Sequence, residues 1–211
     1  MADLSPRAAR TRAALLSAGF DLLAVKPIDA IAIDEVVAKA GVAKGSFFNH
    51  FVDKHAFAAA IAAEVRKELE AQVTRANQDT TNPIERIANG MSVSAEFAIF
   101  DPKRTAVLLR GSGNMTARSH PLNDGVRRDF DEASARGLIS QEAGNSGVLY
   151  WLGLCQALMA SLVDTRAEKE AVDVRVREML ALGLTGLGIE RTEVLSIADR
   201  CSSRVGAALN A

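Results

Sequence analysis

The chain has 211 residues, 48% of them apolar, 24% charged and only two of them cysteine, with a formal net charge of -1. That is apolar material for one large or two small domains, with too little positive charge for a general nucleic-acid coat. Cys155 and Cys201 lie too far apart in sequence for a disulfide framework or a metal site. No apolar run in the sequence approaches the roughly 20 residues of a membrane span, the best candidate (148–163) being interrupted by Gly153 and Gln156. Arg7, Arg10 and Arg12 lead into an amphipathic helix and not into an apolar leader. These features describe a cytoplasmic protein without membrane contact, metal or cofactor.

Ala and Leu dominate and β-branched residues never alternate over a run, so the expected fold is all-α. Pro6 sits where a first helix begins, and Leu15, Leu16, Gly19, Leu22 and Leu23 give it an apolar stripe over about 7–24 before Lys26-Pro27 stops it. A short helix over 33–40 turns Val36, Val37 and Ala40 inward and carries Asp34 and Glu35 in its first turn, where the helix dipole favours acids. Gly41 supplies a turn at positive φ, Val42 fills the angle, and a third helix runs from Lys44 to about Phe51. Asp53 caps a fourth, over 54–76. After a polar linker at 77–83, helices are expected at about 84–100, 103–111, 121–136, 145–164, 167–187 and 193–209. Gly144 to Gly147 is read as punctuation between two of them. The organisation is an N-terminal three-helix helix-turn-helix domain over 1–53, joined through the helix 54–76 to a larger helical regulatory and dimerisation domain over 54–211.

The segment 38–54, AKAGVAKGSFFNHFVDK, carries the functional signal. A recognition helix presents its N-terminal residues to the major groove. Lys44 has the chemistry to donate to guanine O6/N7 or to a phosphate, Asn49 to pair with adenine, and Ser46 to meet either kind of edge. Gly45 lets the backbone come close, and His50 and Lys54 stand where phosphates would pass. Phe47, Phe51 and Phe57 are the expected anchor, while Phe48 divides between groove and core.

The stretch Val36-Val37-Ala38-Lys39-Ala40-Gly41-Val42-Ala43, then Lys44-Gly45-Ser46-Phe47-Phe48-Asn49-His50-Phe51, then Val52-Asp53-Lys54, resembles the DNA-binding domain of the TetR family of transcriptional regulators. The likeness spans residues 7 to 60. It implies a homodimer on a palindromic, double-stranded DNA operator, most often a repressor released by a small ligand. It also implies DNA contact by Lys44, Gly45, Ser46, Phe48, Asn49, His50 and Lys54. Three residues depart from the family pattern: Ala32 and Ala43 stand where capping Thr and Ser are usual, and Phe48 replaces a Tyr. The interface is therefore expected to be more apolar, with Phe48 against a thymine methyl.

Apolar faces on the helices at about 145–164 (Leu149, Leu152, Gln156, Met159, Val163) and 167–187 (Val172, Val176, Met179, Leu180, Gly183, Leu187) are expected to form the dimer seam as a four-helix bundle. Met91, Phe97, Phe100, Leu108, Met115, Trp151, Cys155 and Met159 are candidates for the wall of an effector cavity, with Arg104, Arg110, His120 and Gln156 as polar anchors. The expected effector is an apolar or amphipathic organic molecule. An enzyme is disfavoured: His50, His55 and His120 have no metal-ligand spacing, and the glycines at 111–113 are too sparse for a phosphate loop or a nucleophile elbow. A helical interaction protein that has weakened or lost DNA binding is the alternative, and a redox role for Cys155 or Cys201 is left open.

Overall fold

The computed structural model describes residues 5–111, 121–164 and 169–209, and these form helices joined by short turns. Two compact units are present, one of residues 5–66 with 106–111 and the other of residues 67–105 with 121–164 and 169–209. The expected domains divide at the start of the fourth helix, which connects them. The units instead part inside it, because its first half carries Phe57, Ala58, Ile61, Ala62 and Val65, all buried apolar residues of the first unit.

In the first unit, α1 (Pro6–Leu23) starts at Ser5, whose hydroxyl accepts the Ala8 N–H at 3.3 Å, and buries Leu15, Ala18, Gly19 and Leu23. It packs on α2 (Ile33–Ala40), which in turn meets α3 (Lys44–Phe48). The first part of α4 (Lys54–Ala76) and the end of α6 (Pro102–Arg110) complete the unit. The Arg110 guanidinium donates to the Leu23 carbonyl at 2.6 Å, so a cation closes the carbonyl end of α1.

The second unit is built around α5 (Pro83–Phe100), buried along most of its length, with Asn82 accepting the Ile84 N–H at 2.9 Å as its cap. Around it pack α7 (Asp124–Ala135), α8 (Gln141–Asp164), α9 (Lys169–Gly186) and α10 (Arg191–Leu209). The segment expected to be a polar linker is held by hydrogen bonds. Asn77 donates to the Arg86 carbonyl at 3.2 Å, and Arg86 reaches back to the Thr80 and Thr81 carbonyls at 3.2 and 2.9 Å while pairing with Asp129 at 2.7 Å.

Two expectations need correction. First, α8 begins at Gln141 and runs straight through Gly144 and Gly147. These glycines let α7 approach: a Cβ on Gly147 would lie 2.4 Å from the Phe130 ring, and one on Gly144 2.8 Å from the Ser134 hydroxyl. The longer helix makes Gln141–Val163 long and apolar enough to cross a membrane by length and composition. Its apolar side chains Val148, Trp151, Leu152, Cys155, Leu158, Met159 and Leu162 are nevertheless buried within the protein, as in a core helix. Second, most of the expected dimer-seam residues are internal: Leu152, Met159, Val172, Val176, Leu180 and Leu187 are buried within the chain itself. Leu149, Tyr150, Val174 and Leu182 are the large apolar side chains that α8 and α9 expose, and the Tyr150 hydroxyl donates to the Leu182 carbonyl at 3.3 Å.

Gly147→Ala is expected to destabilise the protein by about 1–3 kcal/mol through overpacking against Phe130, read as a lower urea midpoint; an unchanged midpoint would show that α7 and α8 have slack there. Burial pushes the half-buried Glu96 carboxyl on α5 above the usual carboxylate range, against the opposing pull of Arg204. A carboxyl that holds its proton more tightly in the folded state favours folding at acidic pH. That advantage disappears as pH rises from the ordinary carboxylate value through the raised one. Glu96→Gln is therefore expected to raise Tm at neutral pH and to leave it unchanged near pH 4 (about the unperturbed carboxylate value).

Candidate nucleic-acid interface

The candidate interface starts at the end of α2. Gly41 takes φ 66° and ψ 33°, the left-handed conformation that costs a residue without Cβ least. The Val42 N–H donates to the Val37 carbonyl at 3.0 Å and closes the helix. The chain then extends at Ala43 (φ -71°, ψ 148°) and enters α3. Neither Ala32 nor Ala43 has a side chain to cap the helix it precedes.

What holds α3 is aromatic packing on one side. Phe47 is fully buried, with its ring centroid 5.2 Å from Phe57 and 5.6 Å from Phe51, and Phe51 lies 4.9 Å from Phe57. The Arg12 guanidinium sits 5.6 Å from the Phe51 ring centroid, on the range of a cation–π contact. This cluster also explains why α3 ends at Phe48 and not near Phe51. Phe51 turns into the core to meet Phe57, and Asp53 already caps α4 by accepting the Ala56 N–H at 2.7 Å.

The opposite side of α3 faces water. Lys44, Gly45, Phe48 and Asn49 are exposed, Ser46 and His50 half-buried. Phe48 is 53% exposed, its ring set edge-on to Phe47 at 5.5 Å, so an apolar surface is held outward in a fixed orientation. A Cβ on Gly45 would meet nothing within 4 Å, which leaves an open notch one turn before Phe48 and Asn49. Lys54, at the start of α4, is half-buried; its ammonium donates to the Asp29 carbonyl at 3.2 Å and lies 3.6 Å from the Asp29 carboxylate.

A set of acids beside the basic residues of this face was missed by sequence reasoning. The Lys44 ammonium lies 2.8 Å from Asp34, Lys39 3.1 Å from Asp21, and His55 3.5 Å from Asp29. In sequence Asp34 had registered only as a favourable first-turn residue; its distance from Lys44 is set by the sharp turn at Gly41.

The effector-site candidates divide. Met91, Phe97, Trp151, Cys155 and Met159 are buried in the second unit, on the packed pair α5 and α8. Phe100 does not join them: it is exposed at the end of α5, where Asp101 ends the helix. Arg110 belongs to the first unit, where it is engaged with α1. Arg104 pairs with Glu68 and, at 3.0 Å, with Asp101. Met115 and His120 lie outside the described residues. Both cysteines are buried, and burial pushes the Cys201 thiol up, away from the reactive thiolate.

Comparison with known proteins finds similar chains. Residues 15–61 match the bacterial regulatory proteins of the tetR family. The HTH-type transcriptional repressor DhaR of Mycobacterium sp. (strain GP1) is 29% identical over 100 residues, 47% of this chain and 47% of that protein, so the matched stretch spans about half the length of this curated relative. Among solved structures, RolR in complex with resorcinol has a TM-score of 0.65 at 19% identity, covering 93% of this chain and 97% of that one. A tetR family transcription regulator from Shewanella sp. PV-4 gives 0.72 at 16% identity, with 84% and 97% covered. An ArpA-like gamma-butyrolactone receptor gives 0.57 at 22% identity, with 94% and 99% covered. At these identities the structures establish the shared all-α fold.

Ala43→Ser is expected to stabilise the protein by about 0.5–2 kcal/mol by giving α3 the side-chain cap it lacks; urea unfolding checks it, and no gain would mean that the aromatic anchor alone sets the helix.

Proposed function

We propose that this chain, which belongs to the TetR family of bacterial regulatory proteins, is a transcriptional repressor that binds a palindromic DNA operator as a homodimer and releases it on binding a small organic effector. One observation carries the reading: the face of α3 bearing Lys44, Gly45, Phe48 and Asn49 is exposed, while Phe47 and Phe51 fix the other face in the core. On this reading Lys44 and Asn49 meet base edges, Ser46 and His50 contact edge or backbone, and Lys54 leaves Asp29 for a phosphate. Phe48 has no hydroxyl to offer a phosphate. Its exposed ring suits a thymine methyl, and Gly45 leaves the room for that approach.

The exposed apolar residues Leu149, Tyr150 and Leu182 on α8 and α9 support dimerisation through those helices. Two copies would then present two α3 helices to half-sites one helical turn apart, about 34–36 Å, or a multiple of that. The name of DhaR as a repressor supports the sign of regulation. The buried methionine and aromatic residues between α5 and α8, with the RolR–resorcinol complex on the same fold, support an apolar or amphipathic effector. Such an effector acts only through a difference in affinity between the DNA-binding conformation and another.

Selection of genomic fragments by the protein, followed by gel-shift titration, tests the regulator directly. A preferred palindrome whose affinity falls steeply with salt is expected, and an absence of any preferred fragment overturns the reading. Replacing one thymine per half-site by deoxyuridine removes only a methyl group and is expected to cost about 0.8 kcal/mol at the position that Phe48 meets. The loss should vanish in Phe48→Ala. Leu149→Glu combined with Leu182→Glu is expected to give a folded monomer in sedimentation with weakened operator binding; a persistent dimer would move the seam elsewhere.

A further inference from the structure

We propose that Asp34 is a specificity-determining residue of the DNA interface, holding the Lys44 ammonium in the free protein so that DNA lacking the right base edge gains little from Lys44. This inference rests on the DNA-binding reading above and deepens it.

Lys44 is the first residue of α3, and its ammonium lies 2.8 Å from the Asp34 carboxylate on the first turn of α2. The two side chains are 58% and 71% exposed, so the pair stands in water where DNA would arrive, and is weak enough to be exchanged. Asp34 has no part in the core, since Val36 and Val37 form the buried face of α2. The pattern recurs around it, with Lys39 on Asp21 and Lys54 and His55 on Asp29. Residues 1–66 contain eight Lys and Arg against seven Asp and Glu, so this N-terminal segment is nearly neutral.

Non-specific DNA binding is driven almost wholly by cations replacing the counterions of phosphates. A lysine already paired with a carboxylate gains little by exchanging that anion for a phosphate, and the exchange leaves Asp34 beside a negatively charged duplex. A guanine edge offers the O6 and N7 acceptors together, which a backbone phosphate cannot imitate. The carboxylate brought into the groove finds a donor only at an exocyclic amine, of cytosine or adenine. Every base pair carries one such amine, on one side of the groove or the other, so a sequence that places it out of reach of Asp34 meets an unpaired carboxylate. The pair penalises wrong DNA, and the specificity arises from that penalty as much as from attraction to the correct site.

The test compares wild type, Asp34→Asn, Lys44→Ala and the double variant. Each is titrated against the fragment recovered by selection and against a scrambled duplex of equal length, at one salt concentration. Asp34→Asn is expected to tighten binding to the scrambled duplex by about two- to five-fold and to the selected fragment by less, so that the ratio of affinities falls. In the Lys44→Ala background the same change should leave the ratio unaltered. Glu35→Gln, which removes a neighbouring charge paired with Lys26 at 2.7 Å, is the control and should leave the ratio at its wild-type value. Equal tightening on both duplexes would reduce Asp34 to a long-range charge and overturn the proposal, as would a loss of affinity for the selected fragment in a variant with wild-type helicity and Tm. A wild type that prefers no fragment overturns the regulator reading itself, a result distinct from equal tightening.

Discussion

The packing of Phe47, Phe51 and Phe57 is the interaction on which the rest depends. An α3 of five residues has too few internal hydrogen bonds to persist by itself. Its geometry comes from its own Phe47 and the following Phe51 being driven into a core formed by α1, α2 and the first half of α4. Successive residues of a helix point in different directions, about 100° apart, so burying Phe47 turns Phe48 toward solvent, where Lys44 is also exposed. One hydrophobic event thereby fixes both the fold of the first unit and the side chains it offers to a partner.

The positive charge of that outward face is partly offset by neighbouring acids. The lysines at 39, 44 and 54 each have an acid within reach, and the aromatic at 48 is apolar to its tip. A surface of this kind is poor at gripping phosphates indiscriminately and better suited to apolar and directional contacts in the groove. The absent caps at Ala32 and Ala43 act in the same direction, since each removes a hydroxyl that could have met a phosphate. On the proposed reading, the residues at 32, 43 and 48 act in one direction, toward less attraction to the DNA backbone.

Much of the first unit was legible because its signals are local. A positive-φ position wants glycine, a helix start wants a carboxylate at Asp53, and aromatic spacing announces an anchor; each needs only a few neighbouring residues to be read. What was not legible depends on contacts between distant segments. Gly144 and Gly147 have the composition of a loop, and only Phe130 and Ser134 on α7 show why they belong inside a helix. The apolar faces of α8 and α9 were visible, but which residues face α5 and α10 and which face outward is decided by packing, so Leu152 and Leu180 went inside while Leu149 and Leu182 did not. Phe100 and Arg110 were grouped with the effector-site candidates on residue type; Phe100 is exposed at the end of α5, and Arg110 belongs to the first unit. The pairing of Asp34 with Lys44 escaped notice because the two lie on either side of a turn whose angle no residue pattern specifies.

The central claim is that the face of α3 opposite the phenylalanine anchor touches base edges. Photocrosslinking with an operator carrying 5-bromodeoxyuridine at single thymine positions, followed by mapping of the attached peptide, addresses it most directly. The account predicts crosslinks to the segment 44–54, centred on Phe48, from one thymine in each half-site. Crosslinks arising wholly from other segments, with operator binding intact, would contradict it.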